Sequence, residues 1–160
     1  MKASIFGTKK DIYFMKQALQ QAQKAMDLDE VPIGAVIVNK EGKIISRAYN
    51  QVEKKHSQTA HAEMLAIAKA GKKLKDWRLE DCWIYVTLEP CAMCMVLIRL
   101  SRMKGVVFGA DSPLFGYRLD KMLQLPVYKK DTFIIVKGVL PNEAATLLKQ
   151  FFKKKRKKRE

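Results

Sequence analysis

Histidine and cysteine are scarce in this chain of 160 residues, with two of the first and three of the second. Acidic side chains are also short, 16 against 31 lysines and arginines. Three cysteines provide no disulfide framework. The longest apolar run, residues 92–98, falls far short of the about 20 residues that a bilayer-spanning helix needs. Residues 1–11 hold no apolar stretch long enough for a secretory signal. Internal repeats and domain-sized linkers are absent too. A disulfide-stapled secreted scaffold and a membrane-spanning helix are thereby not expected. The expectation is a reduced, soluble, cytoplasmic protein of one domain, 1–152, followed by a basic tail, 153–160.

The composition, 48% hydrophobic and 29% charged, is that of a globular domain with a sizeable core. The net charge of +15 is not ordinary. Seven consecutive basic residues, 153–159, supply part of it, but without 153–160 there remain 24 basic and 15 acidic residues, a body of +9. A solvated tail cannot explain that excess. A polyanionic partner can, and nucleic acid is the commonest one.

Hydrophobic periodicity outlines the elements. Ile12, Met15, Leu19, Ala22 and Met26 recur at helical steps and predict an amphipathic helix over 9–28. A β-branched run over 35–38, a turn at Glu41-Gly42 and a second strand over 43–49 read as a hairpin. Residues 50–58 are polar and read as a loop. Helices are expected over 61–73 and 91–99, both apolar through the middle, with a strand over 83–88 between them. Two more apolar strands fall at 105–108 and 132–136, a short helix at 119–125, and a closing helix at 142–155. Strands apolar on both faces belong in a sheet covered on both sides, so the fold class is α/β, an α/β/α sandwich.

The chemistry lies in Thr59-Ala60-His61-Ala62-Glu63 and Glu89-Pro90-Cys91-Ala92-Met93-Cys94. One imidazole and two thiolates are natural zinc ligands, and three protein ligands leave the fourth tetrahedral position to water. Closing the site would require His56 or Cys82, and neither has the spacing for it. Cys91 and Cys94 share a helix face, and Pro90 suits a helix start. The positive end of the helix favours thiolates. With Thr59 as the cap of the preceding helix, His61 can hold the metal while Glu63 moves protons to and from the water. Taken singly, a histidine in an apolar helix is most often a core residue, and a lone C-x-x-C is as often redox-active. The combination in this order is the H-x-E…P-C-x-x-C signature of zinc-dependent nucleobase deaminases.

On these motifs the chain resembles the cytidine and deoxycytidylate deaminase superfamily, and within it the bacterial tRNA-specific adenosine deaminases. The likeness extends to Val31-Pro32-Ile33-Gly34-Ala35-Val36, Tyr85-Val86-Thr87-Leu88 and Val106-Val107-Phe108-Gly109-Ala110. It ends on Phe151-Phe152 followed by basic residues. The resemblance implies a mixed five-stranded sheet flanked by helices, one Zn2+ per subunit and a homodimer. It implies conversion of adenosine to inosine at the wobble position of a tRNA anticodon stem-loop. Asn50 matches the asparagine that contacts the target nucleotide, and Ile33, Ala62, Asp111, Ser112, Phe151, Phe152 and Arg156 are the further substrate-binding candidates. The column where this group commonly carries an aspartate holds Ser112, with Asp111 one place earlier, and Pro113-Leu114-Phe115-Gly116-Tyr117-Arg118 is more apolar than the group's pattern. A deaminase of free bases or nucleosides such as cytosine or guanine would share every zinc residue. A non-catalytic zinc-stabilised RNA-binding subunit would most simply lack Glu63.

Overall fold

A computed structural model describes residues 3–119 and 132–159. Among them a five-stranded sheet runs in the order β2-β1-β3-β4-β5, from β1 (Gly34–Val38), β2 (Ile44–Tyr49), β3 (Trp83–Leu88), β4 (Gly105–Ala110) and β5 (Ile134–Lys137). β1 pairs antiparallel with β2 and β3, whereas β3–β4 and β4–β5 are parallel, so the sheet is mixed as expected. The helices are α1 (Thr8–Asp27), α2 (Val52–Lys55), α3 (Ala62–Leu74), α4 (Ala92–Leu100) and α5 (Pro141–Lys157). α1 and α5 lie together on one face of the sheet, α3 and α4 on the other. The result is the three-layer α/β/α sandwich.

Strand alternation builds the two cores. Ala35, Ile37, Ile84, Val86, Val106 and Phe108 point toward Ala62, Ala66 and Ala70 of α3 and Met95 and Ile98 of α4. Their neighbours Val36, Val38, Trp83, Tyr85 and Val107 point toward Phe14, Met15 and Ala18 of α1. β1 and β4 are buried at every position, which is why they read as unbroken apolar runs. Each large aliphatic side chain so enclosed contributes about 1.5–3 kcal/mol relative to exposure.

The structure departs from the sequence expectations in four places. The buried stripe of α1 is Phe14, Met15, Ala18, Ala22 and Ala25, while Ile12, Leu19 and Met26 only flank it. The cause is Gly34: a Cβ there would collide with the Ala18 carbonyl and the Ala22 amide, so α1 lies directly on β1 and small residues must fill the contact. The stretch 50–58 is not all loop, because α2 forms one turn of it. The last strand is Ile134–Lys137 rather than 132–136. Leu119 ends a 3₁₀ turn, Tyr117–Leu119, and the rest of the helix expected over 119–125 lies outside the described residues.

Register brings one edge of the sheet into prominence. Gly34 faces Tyr49, Ala35 faces Val86 and Leu88 faces Ala110, so the chain leaves the sheet at Ile33, Asn50, Glu89 and Asp111 along the same edge. Backbone bonds from Asn50 to Ile33 (3.0 Å) and from Glu89 to Ala110 (2.8 Å) hold those exits side by side.

Candidate active site

Two helices begin at this edge, and their starts carry the donors. His61 is the N-cap of α3 and Cys91 the N-cap of α4, both with extended backbone, and Cys94 is the third residue of α4. Thr59 is therefore not the cap. It is exposed, its hydroxyl bonded to that of Ser57 at 2.8 Å, because the helix starts after His61 rather than after Thr59. Cys91 likewise precedes the first turn instead of lying inside it.

The His61 Nδ1 atom lies 3.6 Å from Cys91 Sγ and 3.5 Å from Cys94 Sγ. The three donor atoms are all within 4.8 Å of one another, and among the described residues no other cluster of potential ligands forms. Zinc bonds of about 2.3 Å to sulfur and about 2.0–2.1 Å to nitrogen, arranged tetrahedrally, require N···S edges of about 3.6 Å. The triangle fits a zinc ion on both edges. His56 is exposed on the end of α2 and Cys82 is packed in the core, so neither closes the site.

The electrostatics divide the two sulfurs. The hydrogen bond with Cys94, with a second to His61, brings Cys91 down to about 4 despite its partial burial. Cys94 is pushed well above the ordinary thiol value by that same contact with Cys91 and by burial. The hydrogen bond with Cys91 raises His61 above the ordinary histidine value. Cys82, by contrast, is pushed up to about 11 by burial and is an inert thiol.

Glu63 sits beside this triangle and outside it. It is 4% exposed, at the second position of α3, within hydrogen-bond contact of the Cys94 thiol. Burial pushes its carboxyl up to about 7, against the opposing pull of its own backbone N–H and of His61. A carboxyl balanced near neutrality can take and return a proton under working conditions.

The substrate-binding candidates lie along this edge and on α5. Ile33 is half-buried and packs on the α3 side of the sheet, and Asn50 is buried beside it. The Gln51 N–H bond to the Ala60 carbonyl (3.0 Å) sets Asn50 close to the start of α3, where Ala62 is fully buried. Ser112 is buried with its N–H donated to Glu89, whereas Asp111 is exposed and paired with Arg118 at 3.3 Å. On α5 Phe151 is buried, Phe152 is 46% exposed and Arg156 is exposed. Lys155 reaches Asp29 in the turn after α1 at 2.6 Å, which brings the end of α5 to the segment leading into Ile33.

Two buried carboxylates at this edge escaped the sequence reading. Glu30, 2% exposed, accepts the backbone N–H groups of Glu53 (3.2 Å) and Lys54 (2.7 Å) and so holds α2 behind Asn50. Glu89, also 2% exposed, accepts the Ser112 N–H at 2.8 Å. The signal for both was an acid set against an apolar run and next to Val31-Pro32 or Pro90, where a solvated surface position is not expected.

Residues 8–110 match the family of the cytidine and deoxycytidylate deaminase zinc-binding region. That match defines the class: a zinc-binding deaminase domain. The tRNA-specific adenosine deaminase of Bacillus subtilis is 46% identical over 151 residues, covering 93% of this chain and 92% of its own. A solved structure from work on A-to-I editing by tRNA:A34 deaminases superposes with a TM-score of 0.78 at 36% identity, covering 85% of this chain and 99% of that one. A guanine deaminase of Bacillus subtilis superposes less well, with a TM-score of 0.62 at 32% identity over 74% of this chain and 84% of its own. The chain belongs to the cytidine and deoxycytidylate deaminase family and, within it, to the group of tRNA-specific adenosine deaminases.

Proposed function

We propose that this protein hydrolyses adenosine to inosine, with release of ammonia, at the wobble position of a tRNA anticodon loop. The observation that carries the reading is the His61–Cys91–Cys94 triangle with a buried carboxylate, Glu63, beside it and outside the ligand set. Zinc held there supplies Lewis acidity that lowers the pKa of a water molecule toward neutrality. The two sulfurs and the imidazole hold and orient the ion. Glu63 takes one proton from the attacking water and gives it to the adenine ring nitrogen. It then carries the second proton, from the hydroxyl now on C6, to the departing amino group, so that the C–N bond breaks to ammonia as the C6 carbonyl of inosine forms. Asn50 and Ile33, at the same edge, line the approach to the base. An anticodon loop presents its bases unpaired, so extruding one is cheaper than from a duplex.

Identity with tRNA-specific enzymes over nearly the full length supports the choice of substrate, and so does the basic body. α4 also supports a homodimer: it is apolar apart from Arg99 in its last turn, yet Met93, Val96 and Leu97 are only half-buried and Leu100 is 44% exposed in the single chain. No helix among the described residues is long and apolar enough to cross a membrane. Two thiol ligands and a free Cys82 suit a reducing cytoplasm.

A free-base deaminase is the second reading, supported by the likeness to guanine deaminase. Incubation with total tRNA, then with free guanine and free adenosine, separates the two. Inosine located by sequencing at the wobble position, without turnover of free bases, is the expected result. Ammonia released only from free bases overturns the tRNA reading.

A further inference from the structure

The buried carboxylate of Glu89 organises a segment that the proposed chemistry does not use. Its Oε2 accepts the Ser112 N–H at 2.8 Å, and Oε1 faces Arg118 Nε at 3.5 Å. Arg118 extends the link to Asp111 at 3.3 Å. Gly116 lies against the same carboxylate so closely that any Cβ would run into it. The backbone reinforces this clamp. Gly116 donates to the Ser112 carbonyl at 3.1 Å, Tyr117 donates to the Pro90 carbonyl at 2.9 Å, and Gly116 bridges Cys91. Tyr117 packs edge-on against Phe108. Residues 112–117 are thus pinned at both ends to the start of the helix that carries two of the metal donors.

At the crown of this pinned turn stand Leu114 and Phe115, each 76% exposed, the most exposed large apolar side chains among the described residues. Pinned apolar groups in water do not contribute to folding, and Phe115 lies one residue from the backbone that pairs with Cys91. A ring held next to the backbone that pairs with the metal-donor Cys91, in a strongly basic protein, fits one occupant well, an unpaired base of a polyanionic strand. Bases offer a flat π-face whatever their identity, and lysine and arginine elsewhere neutralise the phosphates.

We infer that Phe115 is a stacking platform for the nucleotide adjacent to the deaminated adenosine, held in place by the Glu89–Ser112–Arg118 clamp. The inference rests on the wobble-deaminase reading and adds a binding residue to it. Glu89 acts through the turn as a positioning residue.

The test is single-turnover deamination of an anticodon stem-loop by the zinc-loaded protein, with matched stem-loops abasic at either neighbour of the target. Phe115→Ala should lose about 5- to 150-fold in kcat/KM on the intact stem-loop, the worth of one stacked base, and Phe115→Trp should restore most of it. An abasic neighbour should weaken the wild type by a similar factor and leave Phe115→Ala nearly indifferent. Glu89→Gln should raise KM more than it lowers kcat, with zinc content unchanged. Phe115 is exposed, so the melting temperature of its variants should not move. Equal kcat/KM for Phe115→Ala and wild type overturns the inference while leaving the deaminase reading intact. So does a loss that Phe115→Trp does not restore, or one that coincides with dissociation of a dimer by light scattering. A wild type inactive on every stem-loop defeats the underlying reading instead.

Discussion

At the metal triangle, three donors from two helix starts converge on one point, with Cys94 fully buried and Glu63 nearly so. At the end of α5, residues 153–159 are basic without exception, mostly exposed, and spread along the last turn and a half of the helix and its end. The first region depends on few groups that shift one another: contacts with Cys94 and His61 bring Cys91 down to about 4. The second depends on many groups that do not need one another. Where side chains are buried and coupled, each is indispensable, because an unpaired partner is left in a dry site. Where they are solvated and repeated, each contributes a small and screened amount. Removing one group at a time from each region should therefore give effects that differ in size and in kind.

The largest effect is expected at the ligands. Cys94→Ala should abolish zinc retention and deamination together, and should lower the melting temperature by about 5 °C or more, since metal binding is coupled to folding. Metal analysis and a thermal melt on the same preparation check this. Full zinc content in the variant would mean that the triangle is not the metal site. Glu63→Ala sharpens the comparison inside the buried region. It should cut turnover by about 10²–10⁴-fold while zinc content stays at wild-type level, because the carboxylate moves protons and does not hold metal. Loss of zinc in this variant would make Glu63 a ligand.

A third variant breaks a buried contact away from the metal. Glu30→Ala leaves the Glu53 and Lys54 N–H groups without their acceptor, at a cost of about 1–3 kcal/mol. For a chain of this length that is a fall of about 2–12 °C in melting temperature, with zinc content unchanged. A melt indistinguishable from wild type would show that α2 holds without the carboxylate.

These three variants also mark how far the sequence could be read. The ligand set was legible because histidine and cysteine are scarce and their spacing is tied to helix geometry. The strands were legible because burial on both faces leaves unbroken β-branched runs. What escaped were contacts between residues distant in the chain. α2 is four residues without apolar periodicity, and it exists because Glu30, more than twenty residues earlier, accepts its N–H groups. Thr59 has the chemistry of a cap, but the cap is His61, two residues later, and the helix begins at Ala62. The large residues of α1 obey helical periodicity, yet Gly34 draws the helix in until alanines form the contact. Glu89 opens the cysteine motif, but only the folded chain reveals that its carboxylate holds Ser112, Gly116 and Arg118. Local pattern encodes which face of an element is buried, not which distant carboxylate will be waiting there.

The smallest effect per residue is expected at the basic end of α5. Phe151 is buried and the helix reaches Lys157, so a protein ending at Phe152 keeps its apolar anchor and loses only solvated groups. The pair between Lys155 and Asp29 joins two exposed side chains, and its removal should leave the melting temperature unchanged. Zinc content should not change either. Binding is where the deletion of residues 153–160 should register. For every phosphate left without its cation, the slope of log K against log[salt] should fall by about 0.7 on single-stranded RNA and about 0.9 on a duplex-like stem. Two or three such phosphates would flatten the plot visibly and raise KM for tRNA at physiological salt, while turnover at saturating tRNA should hold. Lys155→Ala alone should change the slope by no more than one such step, because the neighbouring lysines remain. An unchanged slope after the full deletion would assign phosphate binding to the body of the protein, which carries +9 without the tail. A single substitution that matched the full deletion would show that this end of α5 is built like the metal triangle after all, on one indispensable group.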